Sequence, residues 1–119
     1  MNIGEIGLLG EKKVAAFLRK HGHEILKRNY QCRFGEIDII ATKDDFIIFV
    51  EVKTRKKGSL VSAAEAVDNF KQQRILKTAE DFIVKTDCEL QPRFDVAEVY
   101  FEENGENIKY FLNYIKNAF

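Results

Sequence analysis

Two short runs constrain this chain more than anything else in it: Glu36-Ile37-Asp38-Ile39-Ile40-Ala41 and Phe46-Ile47-Ile48-Phe49-Val50-Glu51-Val52-Lys53. Both are dense in β-branched and aromatic residues, and the turn-prone stretch Thr42-Lys43-Asp44-Asp45 separates them, which predicts a β-hairpin. A four-residue loop pairs Ala41 with Phe46 and leaves Glu51 diagonal to Asp38, about 7–8 Å away. A loop of Asp44-Asp45 alone sets Asp38 directly opposite Glu51, at a Cβ separation of about 4.5–5.5 Å. In either register the two carboxylates share a face, and Lys53 joins them because side chains alternate along a strand. A one-residue change in loop length would turn one strand over and scatter the group.

Two carboxylates held together in an apolar hairpin repel, and each carries a desolvation penalty of several kcal/mol, on the order expected for a buried ion. A hard divalent cation such as Mg²⁺, with Mn²⁺ as a substitute, would relieve this. Such a cation accepts carboxylate oxygens and keeps positions for water and phosphate. Lys53 is then placed to orient an attacking water or to neutralise charge on phosphoryl oxygens. The competing reading of the hairpin by itself is a solvated edge strand carrying Glu51 and Lys53, with Asp38 in a turn.

Glu51-Val52-Lys53 preceded by Asp38 resembles the PD-(D/E)xK nuclease signature. The wider strings Gly35-Glu36-Ile37-Asp38-Ile39-Ile40, Phe49-Val50-Glu51-Val52-Lys53-Thr54-Arg55 and Arg93-Phe94-Asp95-Val96 are similar to a family of small bacterial proteins distantly related to archaeal Holliday-junction resolvases. The resemblance runs from Gly7 to about Val99. It implies Glu11 as a helix-borne acid, Asp38 and Glu51 as metal-binding acids and Lys53 as the catalytic lysine; Ile37 stands where the signature has proline. It further implies Mg²⁺-dependent endonuclease activity on DNA, branched or junction DNA included, and a homodimer able to cut two opposed strands. By itself Glu11 would read as a surface glutamate.

Length and composition agree with one domain spanning residues 1–119. A chain of 119 residues buries roughly two thirds of its unfolded surface. With 45% hydrophobic residues and 10 Phe, this one needs neither disulfide nor structural metal to build a core. Cys32 and Cys88 lack zinc-ligand or redox spacing and read as reduced thiols. Glu5 and Glu11 interrupt the N-terminus and no long apolar run occurs, so neither signal peptide nor membrane span is expected, and the cytoplasm is the expected location.

Net charge is zero, which argues against binding through a generalised basic surface. The distribution is uneven. Residues 1–60 carry 12 Lys/Arg against 8 Asp/Glu, and residues 61–119 carry 7 against 11. Arg55, Lys56 and Lys57 follow the hairpin acids and suit a phosphate backbone crossing the site, although short charge runs are more often solvated. A neutral chain of this kind also leaves room for a recruiting protein partner, and for a catalytically silent nucleic-acid- or protein-binding module that keeps the nuclease fold.

Around the hairpin the pattern predicts a helix over Gly7 to His21 and a strand over Glu24 to Cys32. A long helix follows over Ser62 to Lys85, with Ser62 as cap, Glu65 completing a capping box, and Ala66, Phe70, Ile75, Ala79 and Phe82 as its apolar stripe. The resemblance implies phosphate contacts from Lys71 and Gln72 on that helix. Phe94 to Phe101 and Ile108 to Leu112 alternate as strands around Asn104-Gly105. Asp95 is expected either beside the site or bonding backbone N–H groups, and His21 and His23 at a helix end and on the surface. The expected fold is α/β with a central mixed sheet flanked by helices, in the order α-β-β-β-α-β plus a C-terminal strand, similar to the restriction-endonuclease-like core.

Overall fold

The computed structural model describes residues 2–58 and 67–119. Helix α1 (Ile3–Lys20) precedes a meander of β1 (Glu24–Cys32), β2 (Gly35–Lys43) and β3 (Phe46–Lys56). Helix α2 (Asn69–Thr86), β4 (Gln91–Asn104) and β5 (Asn107–Ile115) complete the order. The strands form one mixed sheet ordered β1-β2-β3-β4-β5. All neighbours are antiparallel except β3 and β4, which run parallel because α2 returns the chain to the starting edge. The α/β class and element order are as expected.

The two helices cover opposite faces. Val14, Ala15 and Leu18 of α1 pack on Ile39, Ala41, Ile48, Val50, Ala97 and Val99. Ile75, Ala79 and Phe82 of α2 pack on Ile37, Ile40, Ile47, Phe49 and Val96. Strand β3 lies between both layers, which explains why Phe46 to Val50 is apolar at every position instead of alternating. Each fully buried Ile, Leu or Val contributes roughly 1.5–3 kcal/mol, so this central strand anchors everything attached to it.

The hairpin register follows the two-residue loop: Lys43 pairs Phe46, Thr42 pairs Ile47 and the ladder continues to Ile39 opposite Val50. Asp44 makes this possible by taking a left-handed conformation, φ 54°, which Asp tolerates better than most residues. At the other end of the sheet Gly105 (φ 66°) turns β4 into β5, with Asn104 opposite Asn107.

Four local expectations change. Helix α1 begins earlier, at Ile3, because Asn2 and Glu5 form a reciprocal cap: Asn2 Oδ1 accepts from the Glu5 N–H and Asn2 Nδ2 donates to Glu5 Oε1. Ser62, Glu65 and Ala66 lie outside the described residues; Val67 and Asp68 are not helical, and α2 starts at Asn69 with Asp68 accepting from the Lys71 N–H. Phe70 is not in the apolar stripe but 75% exposed. The core-facing stripe is Ile75, Thr78, Ala79 and Phe82, and Phe70, five residues before Ile75 and so about 140° from it around the axis, lies outside that arc. His23 is buried, with Nδ1 against the Leu18 carbonyl, while His21 is the exposed C-cap. Cys32 and Cys88 are free thiols. Among the described residues no helix is long and apolar enough to cross a membrane.

Candidate functional site

The antiparallel ladder of β2 and β3 stops at Ile39 opposite Val50. One residue further, the Asp38 carboxylate replaces the backbone partner: Oδ2 accepts the Val52 N–H at 2.8 Å. This bond ties Asp38 to the strand that carries Glu51 and Lys53. The next residues open into a cavity of about 330 Å³ lined by Gly35, Glu36, Asp38, Glu51, Lys53, Lys71 and Arg74 among others. Strand alternation turns Glu51 and Lys53 to the same side as Phe49, towards α2, and α2 supplies Lys71 and Arg74 from its first two turns. Gly35 permits that approach, because at φ 150° it sits where a Cβ would come within 3.3 Å of Thr78 Oγ1 and 3.7 Å of Arg74 Nε.

Although they line an open cavity, Glu51 and Lys53 are only 5% and 8% exposed. Lys53 Nζ lies 3.8 Å from Glu51 Oε2, and Glu51 Oε1 is buried without a hydrogen-bond partner. Burial, and then the neighbouring Asp38 charge, push the Glu51 carboxyl up to about 8, against the pull of Lys53 and Lys71. Burial, then Lys71, push the Lys53 ammonium down to about 8. Asp38 is also raised by burial, although the Val52 N–H and Lys53 favour its charged form. Burial thus outweighs the pull of the neighbouring lysines and disfavours the charged form of both acids.

A divalent cation would correct this imbalance, and the donor set suits it: Mg²⁺ is commonly bound by one or two carboxylates, with waters and substrate phosphate filling the other positions. Asp38 and Glu51 are the residues able to hold it. Among the described residues no three His, Cys, Asp or Glu side chains gather into a metal-holding group. The expected trio of acids is thus not assembled. Glu11 stands on α1, on the other face of β3, and lines a different cavity with Leu8, Val52, Thr54, Arg55 and Lys56. Its carboxyl is raised by burial and then by Asp38, and its Oε1 is buried without a partner. Val52 lines both cavities, and the Asp38 charge is felt at Glu11.

The remaining expected residues divide. Lys71 faces the acids; Gln72 instead donates to the Val67 carbonyl and secures the start of α2. Arg55 and Lys56 line the Glu11 cavity, with Arg55 Nη1 donating to the Thr54 carbonyl. Lys57 lies 3.4 Å from Glu102 and over the Phe111 ring, away from the acid pair. Asp95 accepts from Arg93 twice, from the Tyr114 hydroxyl and from the Asn117 N–H, a buried lock that ties the end of the chain to β4. Two contributors were not among the expected site residues. Arg74 was legible as the residue three after Lys71 on the same helical face. Gly10 was not: a Cβ there would sit 2.4 Å from Thr54 Oγ1, so glycine alone lets α1 settle on β3.

Fold and pocket define a small α/β protein in which the β2–β3 hairpin and helix α2 bring two carboxylates and two lysines together in one cavity. By sequence the chain belongs to the uncharacterised protein family UPF0102, whose pattern matches residues 10–99. It is 47% identical over 122 residues to a UPF0102 protein of Caldicellulosiruptor bescii, with both chains covered in full. A UPF0102 protein of Caldicellulosiruptor saccharolyticus is 43% identical over 120 residues, again with both chains fully covered. A third, from Clostridium perfringens, is 45% identical over 115 residues, covering 96% of this chain and 93% of the relative.

Proposed function

We propose that this protein is a Mg²⁺-dependent endonuclease that hydrolyses phosphodiester bonds in DNA, acting in the cytoplasm. The observation that carries the reading is the convergence of Asp38, Glu51, Lys53 and Lys71 in one open cavity, with Glu51 Oε1 unpartnered. Asp38 and Glu51 hold the cation, and Mn²⁺ serves in its place. The chemistry such a cation supplies when bound is polarisation of a phosphoryl oxygen and acidification of a water. Asp38 is held in place for this by the Val52 N–H. Lys53, drawn to near-neutral pKa by burial, donates a hydrogen bond to the attacking water or to the phosphoryl oxygen where charge accumulates. Lys71 holds the adjacent phosphate as a point charge. Glu11 adds negative potential from the far side of Val52. Arg55 and Lys56 extend the phosphate path towards that side.

Branched DNA as substrate, a homodimer and a recruiting protein partner belong to the same proposal and rest on the likeness to junction resolvases. A second reading, a silent binding module, draws on the two-acid pocket and the zero net charge. The deciding experiment is cleavage of labelled linear duplex, single-stranded, flap and four-way-junction DNA in Mg²⁺ and Mn²⁺, with Glu51→Gln and Lys53→Met in parallel. Metal-dependent cutting abolished in both variants is the expected result. A wild type that cuts nothing and shows no metal-induced rise in melting temperature supports the silent module.

A further inference from the structure

Phe70 is the most exposed large apolar side chain among the described residues, at 75%. Single exposed apolar residues are ordinary on protein surfaces; the position of this one is not. Four residues along a helix amount to about 40° around its axis, so Phe70 stands one turn before Arg74 on nearly the same face, and it immediately precedes Lys71. Lys71 and Arg74 both line the acid pocket. An aromatic face is thus presented to solvent at the rim of the pocket, flanked by two cations. The Arg74 side chain is braced there, its Nε donating to the Phe34 carbonyl at 3.4 Å in the β1–β2 turn. Two acids stand nearby and both are engaged: Glu36 accepts from Gln31, and Asp68 caps α2 by accepting the Lys71 N–H.

We propose that the nucleic-acid strand leaving the Asp38–Glu51 pocket across α2 is unpaired, with a base stacked on Phe70 and its phosphates held by Lys71 and Arg74. This rests on the phosphodiesterase reading above and narrows its substrate to DNA with unpaired nucleotides beside the scissile bond. Within a duplex each base is covered on both faces by its neighbours, so a side chain on the protein surface can stack only on a base that is unpaired or extruded. The net charge of zero points the same way, because indiscriminate duplex binding draws its affinity from phosphate neutralisation. A chain without excess positive charge needs a term independent of charge, and stacking is one.

The test is fluorescence anisotropy on a labelled single strand and on the blunt duplex of the same sequence, with Ca²⁺ replacing Mg²⁺ to hold substrate uncut. The single strand should bind at least about tenfold more tightly, and Phe70→Ala should weaken it by roughly 5- to 100-fold without altering its salt dependence. Phe70→Tyr should restore binding. Arg74→Ala should reduce the slope of log affinity against log salt by about 0.7. Equal affinity for the two forms, or a Phe70→Ala loss that is absent or the same on both, overturns the proposal. Cleavage of the same oligonucleotides in Mg²⁺ separates it from the parent reading. Cutting without the Phe70 signature leaves a nuclease that does not select unpaired strands; the Phe70 signature without cutting leaves the strand path and removes the hydrolase.

Discussion

Replacing Glu51 by Gln should stabilise this protein in the absence of divalent cations, the opposite of what removing a salt-bridge partner ordinarily does. Glu51 is 5% exposed, its Oε1 has no partner, and its carboxyl is pushed up to about 8 in the folded protein. In the unfolded chain it titrates near the ordinary 4.5. Folding at pH 7 therefore requires proton uptake by a group that is ionised when unfolded. The cost is set by the gap of about 2.5 units between pH 7 and the unfolded value, roughly 3 kcal/mol at about 1.4 kcal/mol per unit. Because the folded pKa is raised, the stability contribution is whole below pH 4.5 and is lost progressively as pH rises to about 8. Gln has the shape of the protonated acid and carries no such penalty.

Thermal melting monitored by circular dichroism in EDTA should then show Glu51→Gln about 10 °C above wild type at pH 7, given roughly 3–6 °C per kcal/mol for a domain of this size. The difference should close as pH falls to 4.5. A variant that melts at or below wild type at pH 7 would falsify the reasoning, since Glu51 would then be an ordinary ionised partner of Lys53. Adding Mg²⁺ or Mn²⁺ should reverse the order, raising the wild type but not the variant.

Three further outcomes follow from the same geometry. Cation binding must displace the Glu51 proton, so affinity measured by isothermal titration should fall about tenfold per pH unit below 8, with protons released on binding; affinity independent of pH between 6 and 8 excludes Glu51 as a ligand. Asp95→Asn leaves Arg93 and Tyr114 facing a neutral amide in a fully buried site and should cost on the order of 3 kcal/mol in urea unfolding, while an unchanged midpoint would show that the lock is redundant. Gly10→Ala forces α1 away from Thr54 and should cost roughly 1–3 kcal/mol. A Thr54→Ala, Gly10→Ala double variant should recover part of that loss, and no recovery would place the strain elsewhere.

Much of this protein is legible without coordinates. The runs flanking Asp44-Asp45 specify adjacent strands, and period-two alternation alone puts Asp38, Glu51 and Lys53 on one face whichever even-numbered loop closes the hairpin. The β1-β2-β3 and β4-β5 pairings follow from short connections, and the apolar run of β3 announces a strand covered on both sides. These are short-range consequences of backbone geometry, which a sequence carries in full. The helix ends were less legible, because Asn2 and Asp68 compete with other capping residues and only the energy of the docked helix decides between them.

What the sequence could not decide is how elements remote along the chain meet. The spacing of Glu11 places it on α1, yet whether it joins Asp38 and Glu51 depends on the face of β3 against which α1 packs. That is decided by Val14, Ala15 and Leu18 burying against Val50 and its neighbours, and by the close contact at Gly10. Lys71 and Arg74 enter the acid pocket, and Phe70 stays outside it, because Ile75, Ala79 and Phe82 set the rotation of α2 on the sheet. Alternation within a strand is a property of each residue and the next; the rotation and face of a helix are properties of the packed interior, where burial of the largest apolar area determines which polar side chains are brought together.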